Sequence, residues 1–74
     1  MTYEVAKHHW RYDTWRGAWK RAKSESHTKG IPFAVFQTGD CYYVMVWNGV
    51  PDYFVSVVEE ILGGKFIKRT FILT

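Results

Sequence analysis

The stretch Pro51-Asp52-Tyr53-Phe54-Val55-Ser56-Val57-Val58-Glu59-Glu60-Ile61-Leu62-Gly63-Gly64 decides how many helices this chain has. Read with a helical period, Phe54, Val57, Val58 and Ile61 share one face, Pro51 occupies a first helical position, and Asp52 is favourable in the first turn. Read with a period of two, Tyr53, Val55 and Val57 alternate as in a strand, and the β-branched valines are poor helix formers. Glu59 and Glu60 followed by paired glycines suit a helix end better than a strand end, so residues 51–62 are expected to be helical and to stop at Leu62.

Upstream of this segment the period is two. Pro32 lacks an amide donor and fits the start of an extended run through Gln37. Thr38, Gly39 and Asp40 form a turn, and Cys41 to Trp47 is aromatic and β-branched almost throughout, which completes a β-hairpin. Asn48 and Gly49 supply the next turn. Before the hairpin, Trp15, Ala18, Trp19 and Ala22 fall at helical spacing after Asp13, a plausible N-cap, and Lys29 and Gly30 follow, so a helix is expected at about 14–27. Gly17 inside it costs roughly 1 kcal/mol relative to Ala unless close packing requires it. Thr2 to His8 alternates loosely as a first strand, and Lys65 to Leu73 reads as a last one.

The expected order is therefore β-α-β-β-α-β. This predicts an α+β fold, a single four-stranded antiparallel sheet with two helices packed on one face, the split βαβ or ferredoxin-like arrangement. That order and an aromatic third strand invite comparison with the RNA recognition motif. The motif's third strand requires a Lys or Arg, a Gly and then aromatics around a Phe-Val pair. Here Gly39-Asp40-Cys41-Tyr42-Tyr43-Val44 shares little beyond Tyr43 and Val44, so the topology alone is similar and no family is assigned.

Seventy-four residues make one domain, 1–74, and exclude two. A hydrophobic fraction of 47% with 23% charged residues belongs to a folded chain and excludes a disordered one. The longest apolar runs fall far short of the roughly 18 residues of a bilayer-spanning helix, and Met1 to Trp10 carries Glu4, Lys7 and two histidines where a signal peptide needs an apolar stretch. Cys41 is the one cysteine and makes no internal disulfide, which excludes a stapled secreted scaffold and points to a reducing, cytoplasmic setting. Below roughly 70 to 80 residues a core seldom supplies more than about 3 to 5 kcal/mol. Fourteen Trp, Tyr and Phe residues, or a homodimer interface, are the expected compensation.

Net charge is +3, and its distribution says more than its sum. Residues 1–30 carry seven Lys and Arg against three acids, residues 31–64 carry none against four, and residues 65–74 carry three against none. A basic face of this kind attracts polyanions or an acidic protein surface. On the helix, Arg16, Lys20, Lys23 and His27 step by four, three and four, which places them within about 60° of one another on a stripe away from Trp15, Trp19 and Ala22. Such a stripe suits phosphates, since each contact releases condensed counterions without reading sequence. Arg11, Arg21, Lys68 and Arg69 would extend it if their strand ends lie nearby. Tyr3, Tyr43, Trp47 and Phe66 are candidates for stacking nucleobases on an open sheet face.

The expected function is a small non-enzymatic domain that binds RNA or DNA through Arg11, Arg16, Lys20, Lys23, His27, Lys68 and Arg69, with no membrane partner. The competing expectation is an inhibitor or adaptor that grips a protein through Trp10, Arg11, Tyr12, Trp15 and Arg16, residue types enriched at interaction hot spots. Metal and cofactor binding are not expected. His8 and His9 point to opposite faces of a strand, and neither they nor His27 and Cys41 show ligand spacing. Nor is catalysis expected: Cys41 opens a strand in an acidic segment where its thiolate is disfavoured, and Glu59 and Glu60 diverge in direction as helical neighbours.

Overall fold

The computed structural model describes residues 3–6, 9–39, 41–49 and 56–72. Among the described residues, six strands and one helix follow in the order β1 (Tyr3–Ala6), β2 (His9–Tyr12), α1 (Trp15–Lys29), β3 (Phe33–Gln37), β4 (Tyr42–Val46), β5 (Val57–Leu62) and β6 (Lys65–Phe71). All neighbours are antiparallel, in one sheet of order β1-β2-β4-β3-β5-β6. The protein is α+β, but the expected four strands with two helices are overturned. Half of the split βαβ plan is present: β2 and β3 both pair antiparallel with β4, so they run parallel to each other with β4 between them and α1 as their connection.

The second helix is replaced by a hairpin. Of the expected 51–62 helix, residues 51–55 lie outside the described residues and Val57–Leu62 is β5. Val57, Glu59 and Ile61 pair with Gln37, Val35 and Phe33 on the helix side of the sheet, while Val58 and Glu60 point to the far side. The paired glycines explain the difference. Gly63 and Gly64 have φ of 63° and 78° between the pair Leu62 and Lys65, a two-residue turn with both central residues left-handed, which sets up a tight hairpin as readily as it stops a helix.

The N-terminal region also departs from expectation. Where one strand was expected over residues 2–8, two short ones form, and the second, His9–Tyr12, alternates half-buried and buried positions so that Trp10 and Tyr12 face the helix. The helix starts at Trp15 with Thr14, not Asp13, as its cap, Thr14 Oγ1 accepting the Gly17 N–H at 3.2 Å. It runs two residues beyond the expected end and stops at Gly30, whose φ of 68° lets its N–H reach the Ser26 carbonyl. Gly17 is explained by packing, since a methyl group there would come within 2.7 Å of Tyr12 Cδ1.

Small residues set the helix against the sheet. Ala18, Ala22 and Ser26 are fully buried and sit over Trp10, Tyr12, Phe33, Val35, Val44 and Ile61. On the far side Ala34, Phe36 and Val58 are buried as well, under Tyr43, Met45, Trp47 and Ile72. Strand β3 is therefore enclosed on both faces, and its run Phe33-Ala34-Val35-Phe36 is apolar at every position for that reason. The open aromatic sheet face is not formed as expected. Tyr43 and Trp47 pack over Phe36 and its neighbours, whereas Phe66, cross-strand from Ile61, stands on the helix side.

Candidate functional site

The helix lies along the β5–β6 hairpin and is fastened to it at both ends. At its start, the Trp15 indole N–H donates to Glu59 Oε1, and Glu59 Oε2 accepts from Arg69 Nε and Nη2 at 3.1 and 2.8 Å. Glu59 is only 3% exposed, and its two oxygens are satisfied by these three donors. Near the helix end, Ser26 Oγ donates to the Lys23 carbonyl at 3.2 Å and accepts the Gly64 N–H at 3.0 Å, which holds the hairpin turn against the last two turns of the helix. Eleven residues separate Trp15 from Ser26, about 16 Å of helix.

Arg16, Lys20, Lys23 and His27 are all exposed on α1, and Lys20, Lys23 and His27 look over this hairpin. Among the described residues no carboxylate pairs with any of them. Lys23 Nζ sits 5.1 Å over the Trp19 ring, itself stacked on Trp15 at 5.8 Å between centroids. A groove of about 580 Å³ opens between the helix and the hairpin turn, lined by Lys20, Lys23, Ser24, His27, Thr28, Gly63, Gly64 and Lys65, and none of these is acidic. Lys65 is a cation that helix periodicity cannot supply; it arrives because the Gly63-Gly64 turn is bonded to Ser26.

The other expected cations divide. Arg69 lies outside this groove and is bound to Glu59. Lys68 pairs with Glu60 at 3.7 Å on the far face, and Arg11, alternating with Trp10 and Tyr12, also points to that face, 3.4 Å from Asp13. Arg21 is held by the Tyr12 hydroxyl at 2.8 Å, by Glu25 and by the Trp10 ring at 4.8 Å. The Tyr12 hydrogen bond raises the affinity of the Arg21 guanidinium for its proton above the ordinary value. Lys29 bonds Glu25, and that bond together with Arg21 holds the Glu25 carboxyl below the usual carboxylate range despite its partial burial. Both cations thereby belong to the fold and not to the ridge.

The five residues of the N-terminal aromatic and arginine cluster do not meet in one patch. Trp10 and Tyr12 are core residues, Arg11 faces away from the helix, and Trp15 and Arg16 begin the helix. Trp15 instead shares a second groove, of about 330 Å³, with Gln37, Val57, Glu59, Arg69 and Phe71 at the open end of the hairpin. Sequence reasoning missed this groove and Lys65 together, because both depend on β5 and β6 folding under the helix. The usable signal was Gly63-Gly64 read as a hairpin turn.

The metal-type side chains are dispersed. His9 stacks edge-on against Tyr43 at 5.4 Å on the far face, Cys41 is buried with Thr38 Oγ1 3.2 Å from its sulfur, and His8 lies outside the described residues. Among the described residues no three His, Cys, Asp or Glu side chains converge, and no helix is long and apolar enough to cross a membrane. Comparison with protein-family models, curated proteins and solved structures gives no match.

Proposed function

We propose that this domain is a non-enzymatic nucleic-acid-binding module that holds the phosphate backbone along the outer flank of α1. The observation that carries the reading is the acid-free groove, where Lys20, Lys23 and His27 of the helix face Lys65 of the hairpin turn with no carboxylate in the lining. Arg16 continues the same line one turn earlier. Cations on a rigid helix, unpaired among the described residues, release counterions from a polyanion without first breaking bonds of their own. Arg11, Lys68 and Arg69, which are paired, contribute less than the sequence led one to expect.

Titration of the protein's tryptophan fluorescence with oligonucleotides at two salt concentrations tests this. Lys20→Ala with Lys23→Ala should weaken binding for every sequence and flatten the dependence of log K on log salt by about 0.7 to 0.9 per lysine. Unchanged affinity and slope in that variant would remove the ridge from consideration.

One observation favours a protein partner as a second reading. Strand β6 is the last strand of the sheet, all seven of its residues are exposed, and Phe66, Ile67 and Phe71 present large apolar side chains there. An edge of this kind accepts an added strand. In that case an inhibitor or adaptor role would survive the lysine substitutions and nucleic acid would bind only at low salt.

A further inference from the structure

We propose that the nucleic acid is an unpaired strand and that one of its bases is seated in the second groove, against Trp15 and Phe71. This rests on the phosphate-binding reading above and adds to it a substrate class. The groove is lined by two aromatic side chains, by polar groups and by one apolar side chain. Trp15 is 41% exposed and Phe71 66%, Val57 supplies apolar surface, and Gln37 offers an amide with both donor and acceptor atoms, which matches the edge of a base. The Trp15 ring is already fixed, its N–H on Glu59 and its plane stacked on Trp19, so little side-chain freedom is lost when a base packs against it.

Charge is consistent with this occupant. Glu59 lies in the groove lining, yet Arg69 and Trp15 saturate both of its oxygens, so it does not repel an approaching backbone. Both grooves use α1 as one wall and the β5–β6 hairpin as the other, one at the open end and one at the turn. Trp15 and Lys23 are eight residues apart, about 12 Å along the helix axis, a span of a few nucleotides. A strand whose base occupies the second groove therefore brings its following phosphates to Lys20, Lys23 and Lys65. A duplex keeps its bases stacked inside and has no ring face to offer, so only the phosphate contacts would remain to it.

Phe71 is the position to test, because it is exposed on an edge strand and its loss leaves the core intact. Fluorescence anisotropy would compare an oligothymidylate of about ten nucleotides with a duplex of equal length, using the parent protein, Phe71→Ala, Phe71→Leu and Lys23→Ala/Lys65→Ala, each checked for its parental circular dichroism. The single strand should bind more tightly than the duplex. Both Phe71 variants should weaken the single strand by roughly 5- to 150-fold, the range expected for one lost base stack, while leaving duplex binding and the salt slope unchanged. Phe71→Leu separates stacking from mere apolar contact. Equal binding of the two oligonucleotides with silent Phe71 variants, but weakened Lys23→Ala/Lys65→Ala, would overturn the base groove and leave the phosphate ridge standing. Phe71→Ala weakened but Phe71→Leu silent would also overturn it, in favour of an apolar ligand group. Failure of both oligonucleotides to bind at moderate salt would overturn both readings.

Discussion

Glu59→Gln should lower stability and raise nucleic-acid affinity in the same molecule. The substitution keeps shape and volume but replaces one of two acceptor oxygens by a donor. With the amide oxygen turned to Arg69, the amide nitrogen faces the Trp15 N–H, donor against donor, in a position only 3% exposed. The Trp15 hydrogen bond, worth about 1 kcal/mol, is lost, and the two Arg69 bonds keep a charged donor but lose the charged acceptor, which takes them toward the low end of the charge-assisted range of about 1.5–3 kcal/mol. Removing one partner of a fully buried ion pair costs about 3–5 kcal/mol. Here the Arg69 side chain is 49% exposed, water replaces much of what it loses, and a neutral amide is cheaper to bury than a carboxylate. The net expectation is about 2 kcal/mol, which for a domain of this size lowers Tm by about 8–16 °C. Arg69 at the same time becomes an unbalanced cation on the groove wall, which should steepen the salt slope for a single strand by about 0.7. Urea unfolding followed by tryptophan fluorescence and an anisotropy titration measure the two effects. Stability within about 0.5 kcal/mol of the parent, the ordinary range for a surface change, would refute the assignment of Glu59 as the buried tie between helix and hairpin.

Three further outcomes are expected. Gly17→Ala should destabilise by about 1–2 kcal/mol although Ala is the better helix former, because the added methyl meets the Tyr12 ring, itself held by Arg21; a stabilised variant in thermal unfolding would contradict the close packing. Ser26→Ala removes the partner of the Gly64 N–H and should cost about 1–3 kcal/mol, with amide exchange faster at Gly64 than in the parent. The Glu25 carboxyl is depressed in the folded state by Lys29 and Arg21, so its contribution is present above the unfolded value of about 4.3 and is lost as pH falls through the lower folded value. Urea midpoints between neutral and acid pH should therefore decline less for Glu25→Gln than for the parent, and parallel curves would contradict the ion-pair cluster.

What the sequence made legible follows the range of the forces involved. The Phe33–Gln37 and Tyr42–Val46 hairpin is written in consecutive β-branched and aromatic residues around a short turn, and α1 in the spacing of Trp15, Ala18, Trp19 and Ala22. The alignment of Arg16, Lys20, Lys23 and His27 is likewise a matter of helix period and needs no tertiary information. Val57-Val58-Glu59-Glu60-Ile61 is different, since its apolar positions fit both periods. The choice is made at a distance, by Phe33 and Val35 offering paired partners to Ile61 and Glu59. Burial of Glu59 was invisible for the same reason: its two satisfying groups, Trp15 and Arg69, lie 44 and 10 residues away. Trp10 and Tyr12 read as interaction residues because nothing local announces that their strand closes against β4 under the helix.

Fastening α1 to the hairpin at Trp15 and again at Ser26 has a kinetic corollary. A receptor whose two walls are already set has no closing motion to wait for, so its capture rate should follow collision frequency and ionic strength alone. The conformational cost of the encounter then falls on the flexible polymer, and differences between one oligomer and another should be read in how quickly each departs.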